Sequence, residues 1–226
     1  MQHIVVLTGA GMSAESGLKT FRDANGLWEG HNVTEVATPE GFETNPKLVL
    51  EFYNQRRRQL LDTNPNFAHY SIAQLEQDYN VSVITQNIDD LHERAGSTNV
   101  THLHGEILKV RSTFNENDIY DWKKDLILGD ACKQGYQLRP HVVWFGEAVP
   151  MIEKAIEICL TADILVVIGT SMQVYPAASL IHYVSHGIPI YFIDPKPNIE
   201  SKQNLTVIAK NATEGIKDCI NYIKAL

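Results

Sequence analysis

The sequence predicts an α/β fold built on a mostly parallel, doubly wound sheet. Three observations carry that prediction: short apolar runs, helical patterns between many of them, and a length of 226 residues, about 1.5 times a typical domain of roughly 150. The runs are Ile4–Leu7, Val81–Ile84, Val100–Leu103, Val142–Phe145, Ile164–Ile168, Ile188–Ile193 and Leu205–Ile208. Each has strand length, and several are apolar at consecutive positions, as in strands covered on both faces. Helical spacing marks Pro46–Leu61, Pro65–Tyr79, Ile152–Leu160, Pro176–Val184 and Thr213–Ile223. Pro65 suits a first helical turn and Thr213 an N-cap. Strand alternating with helix gives a parallel sheet wound on both sides.

Two stretches break the alternation. Residues 26–62 read as turns followed by one long helix, without a convincing strand, and residues 112–139 are polar and irregular. Both are excursions from the sheet that together form a smaller module. The predicted division is 1–28, 80–111 and 140–226 for the large domain, and 29–79 with 112–139 for the small one.

Apolar types make up 44% and charged types 20% of the chain, which excludes disorder, collagen and coiled coil. With 19 basic against 27 acidic residues the net charge is −8, contrary to a nucleic-acid grip based on overall charge. Cys132, Cys159 and Cys219, an odd number at wide spacing, fit reduced thiols rather than a disulfide framework. The longest apolar run, Ile164–Ile168, is far short of a membrane span. Met1-Gln2-His3 leads straight into the first run without a signal-peptide pattern, so a cytoplasmic location is expected.

After the first strand, Gly9, Gly11 and Ala14 match G-x-G-x-x-[GA], in which glycines admit a pyrophosphate to a helix N-terminus. Alone the pattern equally fits a tight turn. Residues 18–28 form neither the long helix nor the second strand of a hydride-transfer enzyme, so that layout is disfavoured. Polar groups follow five apolar runs: Thr85-Gln86-Asn87-Ile88-Asp89-Asp90, His104-Gly105-Glu106, Gly146-Glu147, Gly169-Thr170-Ser171 and Asp194-Pro195. Ligands of open α/β sheets bind outside the carboxyl ends of strands, so these groups define a site. Of nine histidines, His104 is the candidate general base. His69, His182 and His186 lie in helical patterns, and His31, His92, His102 and His141 remain open. Asn87 and Asp89 fit either ligand binding or helix capping.

Within the helix 46–61, Val49, Phe52, Tyr53 and Leu60 mark an apolar face and Arg56 points into it, while Arg57 and Arg58 are expected to turn toward solvent. A guanidinium there needs an anion. A salt bridge, a snorkelling side chain and a substrate carboxylate with Tyr53 as hydroxyl donor all satisfy it.

Together these motifs resemble the sirtuin family of NAD-dependent protein-lysine deacylases. The resemblance runs nearly end to end, through Gly9-Ala10-Gly11-Met12-Ser13-Ala14-Glu15-Ser16-Gly17, Phe21-Arg22, Gln86-Asn87-Ile88-Asp89, His104-Gly105, Trp144-Phe145-Gly146-Glu147 and Gly169-Thr170-Ser171. Tyr53-Asn54-Gln55-Arg56 further resembles the Tyr-x-x-Arg pair of the desuccinylase-type subclass, favouring substrate recognition by Arg56. The resemblance implies a Rossmann-like domain and a small domain made from two insertions, with NAD and acyl-lysine meeting between them. It implies NAD contacts from Gly9, Ala10, Gly11, Ser13, Ala14, Phe21, Arg22 and Trp28, with Gln86, Asn87, Ile88 and Asp89 at the nicotinamide end. Gly169, Thr170, Ser171, Asp194, Pro195, Lys196 and Ala212 line the adenosine side. Tyr53, Arg56, Val142, Trp144, Phe145 and Gly146 bind substrate, the backbone after Val142 pairing with the peptide. The implied reaction displaces nicotinamide by the acyl oxygen, with Asn87 assisting and His104 deprotonating a ribose hydroxyl, and yields O-acyl-ADP-ribose and free lysine. The implied partners are acyl-lysine proteins, with neither nucleic acid nor membrane.

Two departures stand out. Most sirtuins hold structural zinc with four cysteines in the second insertion, whereas this region has only Cys132, and Ser112 stands where a first cysteine is expected. Asp118, Asp121 and Asp130 have no recommending spacing, so no zinc is expected. Packing around Trp122, Ile127, Leu128 and Tyr136 is expected to hold the small module instead. Asp194 replaces an expected Asn. NAD hydrolysis or mono-ADP-ribosyl transfer on the same fold is the alternative activity. An NAD-sensing module without turnover is disfavoured by His104 and Asn87.

Overall fold

The computed structural model describes residues 1–19, 27–28 and 30–226, with the backbone alone at Leu27 and Trp28. Its central element is a six-stranded sheet of β1 (His3–Thr8), β4 (Asn80–Thr85), β5 (Val100–His102), β9 (Ile164–Ile168), β10 (Ile190–Ile193) and β11 (Leu205–Ile208). The order is β11-β10-β9-β1-β4-β5 and every pairing is parallel. Alternate residues of each strand feed opposite faces, which explains the consecutive apolar positions. Ile4, Val6, Val83 and Val166 pack with Ile72 of α5 (Phe67–Leu75) and Ile216 of α8 (Ala212–Lys224). Val5, Leu7, Leu165 and Phe192 pack with Cys159 of α7 (Ile152–Leu160) and Leu180 of a 3₁₀ segment, Ala177–His182.

The chain leaves β1 toward β4 on one side and returns to β9 on the other. The gap between β1 and β9 is therefore the switch point at which ligands of such sheets bind. A short helix, α1 (Gly11–Ala14), opens directly there.

The second body is a three-stranded antiparallel sheet, β7-β6-β8, formed by β6 (Gly105–Ser112), β7 (Ile119–Asp121) and β8 (Leu138–Val142). Beside it lie α2 (Val33–Val36), α3 (Pro39–Thr44) and α4 (Pro46–Leu61). Asn45 caps α4 by accepting from the Leu48 N–H, with Pro46 at its first turn. The short helix α6 (Leu91–Ala95) follows the loop after β4. Among the described residues no helix is long and apolar enough to cross a membrane.

Several expectations need correction. Val142–Phe145 is not a strand of the parallel sheet: β8 ends at Val142 and belongs to the antiparallel one. Residues 26–62 include paired two-residue strands, β2 (Leu27–Trp28) and β3 (His31–Asn32). Pro65 precedes its helix, where Asn66 caps and His69 completes a capping box. Asn211 occupies the N-cap position of α8, while Thr213 gives its backbone N–H and hydroxyl to Glu15. Ile127, Leu128 and Tyr136 are exposed, because the small sheet packs through Val110, Leu126, Cys132 and Leu138 against Leu50, with Trp122 at the margin.

Candidate active site

A cavity of about 840 Å³ lies between the two sheets, at the carboxyl end of the parallel one. Its floor is the close approach of two loops. Gly9 N–H donates to Ile168 O and Gly11 N–H to Gly169 O, at 3.0 and 2.8 Å. Gly169 has φ +63°, and a Cβ there would collide with the Gly11–Met12 backbone. Only glycines let these loops touch this closely.

Ser13 ties this floor to the loop after β4. Its hydroxyl donates to Asp89 Oδ2 at 2.9 Å and accepts from Asn87 Nδ2 at 3.1 Å. All three side chains are buried. Burial pushes the Asp89 carboxyl up to about 6, against the opposing pull of the Ser13 hydroxyl and the Leu91 N–H. Asp89 accepts that N–H through Oδ1 at 3.2 Å and lines the cavity, while the N-cap position of α6 is Asp90. Gln86 donates through Nε2 to Thr170 Oγ1 at 3.1 Å, joining the same loop to the end of β9.

His104 faces the cavity, with its Nδ1 3.0 Å from the Gln86 carbonyl oxygen. A carbonyl only accepts, so Nδ1 carries the hydrogen and Nε2 keeps its lone pair. Burial holds the imidazole below its ordinary pKa despite the Gln86 carbonyl. A neutral base at this position can take a proton from a sugar hydroxyl.

On the opposite wall, Arg56 is half-buried and lines the cavity beside Tyr53. Its guanidinium lies 3.2 Å from the Phe52 ring centroid and donates to the Phe52 carbonyl oxygen. Tyr53 accepts from Trp144 Nε1 at 3.0 Å. Trp144 is held in turn by Glu147, whose Oε2 accepts its backbone N–H at 2.7 Å, and by Arg139, whose guanidinium lies 3.3 Å from its ring centroid. Arg139 and Arg111 both pair with Glu147. Arg57 does not turn to solvent as expected: it is 1% exposed, donating to Ile107 O and Asn54 Oδ1, and burial lowers its pKa to about 10. That arginine joins α4 to the small sheet, a role the apolar stripe of α4 did not reveal. Arg58 is exposed and paired with Glu51 and Asp125.

The cavity brings together Gly9, Ala10, Gly11, Ser13, Ala14, Gln86, Asn87, Ile88, Asp89, His104, Gly169, Thr170, Ser171, Asp194, Pro195 and Lys196 with Tyr53, Arg56, Val142, Trp144, Phe145 and Gly146. Ala212 is not among its lining: it is buried under the sheet, and Asn211 before it reaches the cavity instead. Phe21 and Arg22 lie outside the described residues, as does the side chain of Trp28. Sequence reasoning missed Gln59, Val174 and Tyr175. Gln59 lies three residues beyond Arg56 on the same helix face, which is a usable signal, whereas Val174 and Tyr175 carry no motif. The backbone N–H groups of Val143 and Phe145 donate to His104 O and Ala37 O. With the Trp144 N–H also engaged, a peptide laid along this segment must pair through other groups.

Among the described residues no three His, Cys, Asp or Glu side chains come close enough to hold a metal ion.

Residues 9–176 match the model of the Sir2 family. An NAD-dependent protein deacylase of Helicobacter pylori is 56% identical over 219 residues, covering 96% of each chain. A solved Sir2 homologue in complex with NAD superposes with a TM-score of 0.88 at 38% identity, covering 99% of this chain and 90% of that one. A Sir2 homologue bound to 2′-O-acetyl-ADP-ribose gives a TM-score of 0.88 at 37% identity, covering 99% and 92%.

Proposed function

The chain belongs to the Sir2 family, and from that premise we propose that it is an NAD-dependent protein-lysine deacylase acting on acetyl- and, preferentially, succinyl-type acyl groups. The observation that carries the reading is the Ser13–Asn87–Asp89 cluster beneath the glycine floor, with neutral His104 facing the same cavity. The fit to a dinucleotide rests on that floor, where side chains are excluded, at the carboxyl end of the parallel sheet. The parallel sheet with α5, α7 and α8 carries the nucleotide, and α4 with the loop after β8 closes over the acyl chain. The division expected from the sequence shifts, because α5 packs against the parallel sheet and residues 105–111 and 140–142 belong to the antiparallel one.

When bound, NAD supplies an anomeric carbon that exchanges nicotinamide for the acyl oxygen of the modified lysine. Asp89 and the Ile88 backbone hold the nicotinamide carboxamide, and Asn87 orients the ribose. Gly169, Thr170 and Ser171 hold the adenosine side together with Asp194, which is 2% exposed and accepts the Lys196 N–H at 2.9 Å. His104 Nε2 takes the ribose hydroxyl proton, and the freed oxygen bonds to the acyl carbon as the lysine nitrogen leaves with a proton as the free amine. One water adds to that carbon to give the ester of O-acyl-ADP-ribose. Arg56 and Tyr53 receive an acyl carboxylate by charge-assisted hydrogen bonds. The protein partner is an acyl-lysine segment lying over Trp144, Phe145 and Gly146.

Mass spectrometry of the products tests the reading. O-acyl-ADP-ribose with stoichiometric nicotinamide is expected. Free ADP-ribose alone would favour NAD hydrolysis, and ADP-ribosylated protein would favour transfer.

A further inference from the structure

His102 and His104 flank Leu103 and reach consecutive carbonyls of the loop after β4. His104 takes Gln86 O. His102 Nδ1 lies 3.1 Å from Asn87 O, and its Nε2 lies 2.7 Å from Glu93 Oε1 on α6. The His102 side chain is 8% exposed. Its two partners, a carbonyl and a carboxylate, can only accept. Both ring nitrogens must therefore carry hydrogens, which makes His102 an imidazolium. His104 has one such partner and remains a neutral base. Two histidines two residues apart thus hold opposite protonation states.

The surroundings favour that cation. Glu93 faces it from α6, Glu106 from β6 and Asp89 from the intervening loop. Lys109 of β6 is paired with Glu106 at 2.8 Å, and His92 of α6 is held neutral by burial. Burial works against the charge on His102, but the hydrogen bond and charge of Glu93 outweigh it. Neither His102 nor Glu93 lines the cavity.

We propose that His102, as an imidazolium ion-paired to Glu93, is a positioning residue that anchors the Asn87 backbone and thereby aims the Asn87 amide at Ser13 and the bound ribose. The kinetic consequence rests on the deacylase reading, whereas the protonation state does not. Losing the His102 proton removes one anchor, so kcat should fall on the alkaline side while KM for the acyl peptide holds.

Two measurements test this. In ¹⁵N-resolved imidazole spectra of the ligand-free protein at pH 7, both His102 nitrogens are expected at protonated shifts. A lone-pair signal from either would overturn the proposal, whatever the enzyme's activity. In pH–rate profiles, Glu93→Gln should move the alkaline limb of kcat toward acid by about one pH unit or more. His102→Gln, whose amide still donates to Asn87 O, should abolish that limb and retain more activity than His102→Ala, for which kcat should fall about 10- to 100-fold, as for a misaligned catalytic group. An unshifted limb in Glu93→Gln, or unchanged kcat in His102→Ala, would overturn it. Absence of NAD-dependent deacylation by the unmodified protein would instead refute the functional reading.

Discussion

Trp144 Nε1 donates to the Tyr53 phenol oxygen at 3.0 Å, and both side chains are buried. A phenol that accepts from an indole keeps its own O–H to donate. Burial, outweighing the Trp144 hydrogen bond and the nearby Arg139 and Arg56 charges, raises the Tyr53 pKa, so the phenol stays neutral at working pH. With the Arg56 guanidinium beside it, this wall presents hydrogen-bond donors and positive charge. The proposed preference for acyl chains ending in a carboxylate rests on this wall.

Arg56→Met should therefore harm turnover of a succinyl-lysine peptide far more than that of an acetyl-lysine peptide. A lost charge-assisted hydrogen bond is worth about 1.5–3 kcal/mol, or roughly 10- to 150-fold in kcat/KM. Side-by-side assays on the two peptides measure the ratio. Equal losses would assign Arg56 to packing.

His104→Ala should slow deacylation by about 10²- to 10⁴-fold, the usual contribution of a general base. Because burial depresses the His104 pKa, the reactive neutral form persists to lower pH than in a free imidazole. The acid limb of kcat/KM should accordingly lie below about 6.5. An acid limb at or above that value would indicate that another group provides the base.

The parallel sheet was legible because strands covered on both faces show unbroken apolar runs. Pro46–Leu61 matched its helix through apolar spacing, with Asn45 capping it, and Ile152–Leu160 through spacing alone. The site was legible where chemistry sits next to a strand end, as at Gln86–Asp89 and Gly169–Ser171. Contacts between segments distant in sequence were not. Val142–Phe145 looks like any apolar strand, and only its pairing with β6 assigns it to the other sheet. Arg57 lies next to an apolar stripe, yet the Asn54 amide and the Ile107 carbonyl give it a buried position. Asn211 reaches the cavity through packing of α8, which no local pattern encodes.

The small antiparallel sheet should stand without metal. Its core of Val110, Leu126, Cys132, Leu138 and Leu50 is apolar and buried, and Asn54 crosses to it by bonding both the N–H and the carbonyl of Leu126. A single thiol among these residues offers no tetrahedral ligand set. Elemental analysis of purified protein should find no stoichiometric zinc, and a chelator should leave the thermal midpoint unchanged. Zinc at one equivalent per chain, lost together with stability on chelation, would refute this.

Acid should destabilise the protein through His69 and His92. The two rings are buried with centroids 4.8 Å apart. His69 Nδ1 accepts the Asn66 backbone N–H, and His92 Nε2 lies 3.1 Å from Thr8 Oγ1 at the end of β1. Burial lowers the His69 pKa from 6.5 to about 4, and the same cause depresses His92. The folded state thus resists protons that the unfolded chain takes up. The stability involved is fully present above about pH 6.5 and is lost as pH falls toward 4. For His69 alone that displacement corresponds to about 3 kcal/mol. His69→Gln keeps a side chain able to accept the Asn66 N–H, as Gln does at this position of a capping box, but cannot titrate. Urea midpoints measured between pH 7 and 4 should fall less steeply in the variant than in the unmodified protein, while carboxylate protonation weakens both alike. Parallel curves would show that His69 ionises as readily in the folded chain as in the unfolded one.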